Sequence, residues 1–201
     1  MQLRAFNFPH TNMKYLLQIL TFAALLGAAV LPCTYADTDT AEEQAEEQLA
    51  TIPAALKGCK YVTKVRPKED AKVYFIYQSR STCGICVAEA PAIVAAYKKM
   101  KGKGAELVML NIDRDEKTAA TWAKKSKMKF PIVAPSDMGN VPFPFTGGRT
   151  LPCMVAVDAD GNKLGEANGS QVADFLASNW KKYVRDIKKA EKKAAREKEE
   201  D

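Results

Sequence analysis

Two cysteines two residues apart, Cys83 and Cys86 in Ser-Thr-Cys-Gly-Ile-Cys, are the side chains of this protein best suited to chemistry. They follow an apolar run, Val73-Tyr74-Phe75-Ile76-Tyr77, and precede a helix-like stretch from Val87 to Met100. At a strand-to-helix junction the first sulfur lies at a helix N-terminus, where unpaired backbone N–H groups and the helix dipole favour a thiolate. The second lies one turn further in, close enough for the two sulfurs to bond. This spacing suits attack by Cys83 on a disulfide, followed by resolution of the mixed disulfide by Cys86. The competing reading is a fixed structural bridge. A bond closing so small a loop removes little chain entropy, which makes it a poor staple.

Other readings of the sulfurs demand more. A zinc site would have to recruit Cys59 and Cys153 to complete four thiolates. The sole histidine is His10, within the expected signal segment, and Val87 stands where a c-type haem motif needs histidine. No metal and no cofactor is therefore expected. Cys59 and Cys153 are accessory thiols with three readings: buried free thiols, a bridge to each other, or, for Cys153, an acceptor of a disulfide from the redox pair. Glu89 shares a helical face with Cys86 at i+3. It is either a proton relay for a buried thiol or an exposed glutamate paired with a lysine.

The elements that must hold these groups are legible from periodicity. A strand over 72–78 leads into a helix over 84–100, and Gly102 and Gly104 then break the chain. A second strand (106–112) precedes a helix (116–127) that Asp113 and Asp115 can cap, with Ala119, Ala120, Trp122 and Ala123 on its apolar side. Phe130-Pro131-Ile132-Val133 reads as a further strand, Tyr61-Val62-Thr63 as a short one, and 135–150 as an irregular loop. Met154–Val157 and Lys163–Glu166 flank Asp158-Ala159-Asp160-Gly161-Asn162, the pattern of a β-hairpin. A last helix starts near Ser170, a candidate N-cap, and Val172, Phe175, Leu176, Trp180, Tyr183, Val184 and Ile187 form its buried face. Strands alternating with helices, then a hairpin and a closing helix, imply a central sheet covered on both faces.

Composition narrows the setting. The chain has 201 residues, 47% hydrophobic, with a net charge of +6 that forms no basic patch interleaved with aromatics, so nucleic acid is not an expected partner. Lys14 precedes an apolar stretch from Tyr15 to Leu31, and Thr34-Tyr35-Ala36 offers small residues at −3 and −1 of a cut before Asp37. That is the order of a secretory signal peptide with cleavage after Ala36, and an uncleaved segment would anchor the chain to a membrane. Pro32 before Cys33 fits a lipobox poorly. The expected location is periplasmic or secreted, where disulfides persist. The expected organisation is 1–36 signal peptide or anchor, 37–57 acidic linker and short helix, 58–187 the folded domain, and 188–201 a charged helical tail. The tail carries i,i+4 pairs such as Lys193–Glu197 and reads as a solvated helix extension, with partner binding as the alternative.

The order strand, Cys-Gly-Ile-Cys, helix, strand, helix, strand, Leu151-Pro152, hairpin, helix resembles the thioredoxin fold. In particular, Cys-Gly-Ile-Cys-Val-Ala-Glu-Ala-Pro, with Glu89 and Pro91, is similar to the extracytoplasmic TlpA/ResA-like thioredoxins, as are Phe130–Val133 and Leu151-Pro152 with its hairpin. The resemblance covers about residues 70–185. It implies a thioredoxin-like three-layer α/β/α sandwich with a central mixed sheet and helical N- and C-terminal extensions. It also implies a thiol-disulfide oxidoreductase with Cys83, Cys86 and Glu89 in catalysis. Pro152 would be cis, and the Leu151 backbone would pair with an extended substrate segment. Partners would be protein disulfides or thiols and an upstream redox protein. Thr82, where relatives often have Trp, Gly84-Ile85 between the cysteines, Tyr77 where thioredoxins bury an Asp, and Cys153 after the proline depart from the pattern and leave the redox direction open. The reading from another class is a non-catalytic thioredoxin-fold binding module with an inert Cys83–Cys86 disulfide.

Overall fold

A computed structural model describes residues 51–141 and 150–200 of the chain. The expected signal segment and its cleavage site, most of the acidic linker, and residues 142–149 of the expected loop lie outside the described residues. Among the described residues no helix is long and apolar enough to cross a membrane.

The organising element is β1 (Val73–Ser79). Its β-branched and aromatic residues fit a strand buried on both faces. It pairs in parallel with β2 (Ala105–Asn111) and antiparallel with β4 (Cys153–Asp158). β3 (Ile132–Val133) extends the sheet beyond β2, and β5 (Lys163–Asn168) closes the hairpin with β4. The result is a mixed five-stranded sheet of order β3-β2-β1-β4-β5.

Strand alternation divides the core in two. Val73, Phe75 and Tyr77 of β1, with Leu107 and Met109 of β2 and Met154 and Ala156 of β4, face α2 (Gly84–Met100) and α4 (Val172–Glu200). Trp122 and Ala123 of α3 (Glu116–Lys125) join this core. Tyr74, Ile76, Val108, Leu110, Val155 and Val157 face the other way, covered by Ile52 and Leu56 of α1 (Ile52–Lys57). Met138, from a 3-10 turn over Pro135–Asn140, packs there too. Apolar layers on both faces are the expected three-layer thioredoxin-like sandwich. Each fully buried large side chain contributes roughly 1.5–3 kcal/mol of it.

The helices follow their sequences with three corrections, the first being that Ala120, expected on the apolar side of α3, is exposed. Asp115 caps α3, accepting the Thr118 N–H at 2.8 Å, but Asp113 does not cap; it is buried at the end of β2. Ser170 is not the N-cap of the last helix. Gly169–Gln171 form a 3-10 turn, tightened by the positive φ of Gly169 (60°), and α4 starts at Val172. This turn aims the first N–H groups of α4 at α2 rather than back at Ser170. Beyond Ile187 α4 continues as one helix to Glu200, exposed and tied back by Lys72–Glu191 at 2.7 Å. Its docked half lies close on β5. A Cβ at Gly165 would come within 2.5 Å of the Tyr183 hydroxyl and 3.3 Å of the Phe175 ring.

Candidate active site

The thiols sit where the C-terminal end of β1 meets the start of α2. Arg80, Ser81 and Thr82 carry the chain between them, and Asp113 braces this link. Asp113 Oδ1 accepts both the Ser81 N–H (2.8 Å) and the Ser81 hydroxyl (2.7 Å), while Oδ2 accepts from Asn111 Nδ2 (2.9 Å). Parallel pairing of β1 and β2 places the two strand ends side by side, so a carboxylate just past β2 reaches the loop past β1. The sequence reading offers Asp113 only as a helix cap, since this contact spans thirty-two positions.

Cys83 is the N-cap of α2, with extended backbone (φ −92°, ψ 117°). Its sulfur accepts the Cys86 N–H at 3.2 Å, taking one of the donors that a helix start leaves unpaired. The Cys83 thiol also points at the Leu151 carbonyl, 3.8 Å away. The Leu151–Pro152 peptide bond is cis, and the Pro152 carbonyl accepts the Gly169 N–H at 2.7 Å. The fold thus brings together Cys83, Cys86, Leu151 and Pro152 from segments sixty-five residues apart in sequence. Cys83 is half-buried and Cys86 has no exposed surface. Ile85 and Val87, each 46% exposed, are the exposed large apolar side chains among the described residues, and both lie on the dithiol turn.

Burial pushes the Cys86 thiol above its ordinary pKa, and its interaction with Cys83 adds to this. The Ser79 hydroxyl and the Arg80 backbone N–H pull the other way. Tyr77, fully buried on the same face, has its hydroxyl pushed far above the ordinary range, chiefly by burial, with Cys86, Glu89 and Cys83 contributing charge. Glu89 is not the exposed, lysine-paired glutamate of the simpler expectation. It is half-buried, and its Oε2 accepts the Ala173 N–H at 3.2 Å, so the carboxylate joins α2 to the first turn of α4. An anion at that position also complements the α4 dipole.

The two further cysteines lie apart. Cys153 pairs across the ladder with Gln78, on the sheet face opposite Cys86, and its thiol points at Gln78 Oε1 at 3.4 Å. Burial first, then the charges of Cys86 and Glu166, pushes it up to about 11. Cys59 belongs to the α1-side core, its thiol on the Ala55 carbonyl at 3.5 Å, and burial raises it as well. The expected option of a Cys59–Cys153 bridge is not realised, and all four described cysteines are free. Tyr61 bridges to Val133, which pairs with Leu110, then Gln78, then Cys153. Tyr61, two residues after Cys59, is therefore four strand spacings from Cys153, about 19 Å. The same separation keeps Cys59 out of a four-sulfur zinc site. Among the described residues no three His, Cys, Asp or Glu side chains gather as metal ligands.

The model of the AhpC/TSA family matches residues 26–141, a span that contains Cys83, Cys86 and Glu89 and stops before Pro152. Among curated relatives, the thiol-disulfide oxidoreductase ResA of Bacillus thuringiensis subsp. konkukian and that of Bacillus cereus are each 30% identical over 102 residues, covering 51% of this chain and 58% of theirs. The chain thus spans a little over half the length of the curated relatives it matches. Among solved structures, a secreted disulfide oxidoreductase of Mycobacterium tuberculosis superposes with a TM-score of 0.49 at 18% identity, over 70% of this chain and 98% of that one. StoA from Bacillus subtilis gives 0.47 at 20% identity, over 54% and 81%.

Proposed function

The chain belongs to the AhpC/TSA family, and from that premise we propose that it is an extracytoplasmic thiol-disulfide oxidoreductase that reduces or exchanges protein disulfides through Cys83 and Cys86. The observation that carries this reading is the half-buried Cys83 sulfur at the helix N-cap, 3.2 Å from the Cys86 N–H and 3.8 Å from the Leu151 carbonyl. A nucleophile, its resolving partner and a backbone edge for an extended peptide converge there.

The steps follow from this arrangement. The Cys83 thiolate attacks one sulfur of a substrate disulfide. The Cys83–substrate bond forms, the substrate bond breaks, and the departing substrate thiolate takes up a proton. Cys86 then loses its proton and attacks Cys83 Sγ. The Cys83–Cys86 bond forms, and the second substrate thiolate leaves and is protonated. The substrate has gained two electrons and the dithiol has lost them; a dithiol partner upstream restores the pair. Cys86 holds its proton tightly because it is buried, so the second step needs a proton acceptor nearby. We assign that role to Glu89, the carboxylate one turn along α2 from Cys86. Leu151 and Pro152 form the wall against which an extended substrate pairs. Extracytoplasmic placement is supported by the signal-like order of residues 14–36.

The test is reduction of insulin disulfides by the full chain with dithiothreitol as the electron source. Turnover that Cys83→Ser abolishes is the expected result. No turnover by the unaltered dithiol chain would overturn the proposal and favour a binding module.

A further inference from the structure

Among the described residues, three buried side-chain polar atoms complete no hydrogen bond: the Tyr77 hydroxyl, the Ser79 hydroxyl and Trp122 Nε1. A buried orphan hydroxyl costs roughly 1–3 kcal/mol, so two in one pocket call for a reason. Tyr77 and Ser79 are both 0% exposed, and they are i and i+2 on β1, so they face the same side of the sheet. That side is the one on which Cys86, also 0% exposed, projects from α2. Ser79 interacts with Cys86 on one side and with Tyr77 on the other. The pocket is therefore a row of hydroxyl, hydroxyl and sulfur, with no charged donor in it.

We propose that Ser79 and Tyr77 form a donor chain that holds the resolving sulfur when it becomes a thiolate, Ser79 donating to Cys86 Sγ and Tyr77 donating to Ser79 Oγ. A thiol is a weak acceptor and a thiolate a strong one. Hydroxyls that lack a partner beside the thiol acquire one when the proton leaves, so their contribution is realised mainly in the ionised state. That is differential stabilisation of the species that attacks Cys83. In this donor chain Ser79 donates directly to the reacting sulfur, while Tyr77 acts through Ser79 and is a positioning residue. The other groups that act on this pocket are Cys83 and Glu89 on α2, the Arg80 backbone N–H at the end of β1, and Cys153 on β4. The two carboxylate and thiol neighbours on α2 can only oppose a second negative charge. The hydroxyls, with the Arg80 N–H, are the donors that favour it. The inference rests on the exchange reading for its use, but its test reads the ionisation of Cys86 alone.

The experiment follows the Cys86 Cβ resonance against pH in full-length protein labelled with 13Cβ-cysteine and carrying Cys83→Ser throughout. Adding Ser79→Ala should raise the ionisation midpoint by about one pH unit, a tenfold loss in the acid constant. Tyr77→Phe, which keeps the ring and removes only the hydroxyl, should raise it by about half a unit. Ser79→Thr, which restores a hydroxyl, should return the midpoint to the parent value. Equal midpoints for the parent and Ser79→Ala would overturn the donor chain, as would equal midpoints for Ser79→Ala and Ser79→Thr. If Ser79→Ala does not fold, Tyr77→Phe decides alone, an unmoved midpoint again overturning it. Insulin reduction measured separately keeps the two readings apart. A shifted midpoint without exchange would sink the proposed function and leave the donor chain standing.

Discussion

Buried ionisable groups occupy both ends of the central sheet, and they are treated in opposite ways. At one end Glu106 is the second residue of β2 and is 3% exposed. Its Oε1 accepts the Leu107 N–H at 3.0 Å and its Oε2 accepts the Lys68 N–H at 3.1 Å. Tyr74, pushed up to about 12 by burial and by Glu106, spends its hydroxyl on the Lys68 carbonyl at 2.7 Å. Towards the other end, about 10 and 16 Å along the strands from the Glu106 position, Tyr77 and Ser79 stand on the face of Cys86 without a completed hydrogen bond. A saturated polar cluster ties loop to strand and leaves no donor waiting for a partner. An unsaturated one is stabilised by a change of charge next to it. The first arrangement suits structure and the second suits chemistry.

Exchanging the two roles is the strongest way to break this contrast. Cys83→Ser should cost on the order of a thousandfold or more in disulfide exchange with an unchanged melting temperature. Glu106→Ala should do the reverse. It leaves two backbone N–H groups unpaired, and urea denaturation should show a loss of about 3 kcal/mol while exchange at low temperature persists. If Glu106→Ala instead removes activity from folded protein, the two ends are coupled and the division fails.

A pH titration sharpens the same comparison. Burial raises the Glu106 pKa, so the folded chain keeps this proton to higher pH than the unfolded chain. The stabilising contribution is complete below the ordinary carboxylate range. It declines as pH rises, because the unfolded chain ionises first, and is lost once pH passes the folded value. Denaturation midpoints measured from acid to neutral pH should carry that downward component, and Glu106→Gln should remove it. The smallest expected effect concerns Cys153. With its thiol pushed up to about 11 and turned to Gln78 on the far face, it should stay protonated near neutral pH. Cys153→Ala should change exchange rates by less than about twofold, and mass mapping of oxidised protein should find the Cys83–Cys86 bond alone. A mixed species containing Cys153 would restore it as a disulfide acceptor.

Sequence by itself determined the elements and the nucleophile. The apolar run Val73–Tyr77 and the spacing of Val172–Ile187 predict β1 and the docked half of α4, and Cys-Gly-Ile-Cys at the junction marks the site, because these signals are local. Only the tertiary structure decided what surrounds the sulfurs. Asp113 reaches Ser81 because β1 and β2 end side by side, and Glu89 takes the Ala173 N–H because a 3-10 turn aims α4 at α2. Cys153 lies across the sheet from Cys86, although Pro152 next to it joins the site, because side chains along a strand alternate faces. Tyr77 and Ser79 read in sequence as one aromatic core residue and one strand-end serine. Their shared face with Cys86, and the lack of any other partner, emerge only when a strand and a helix separated by a tight loop are packed together.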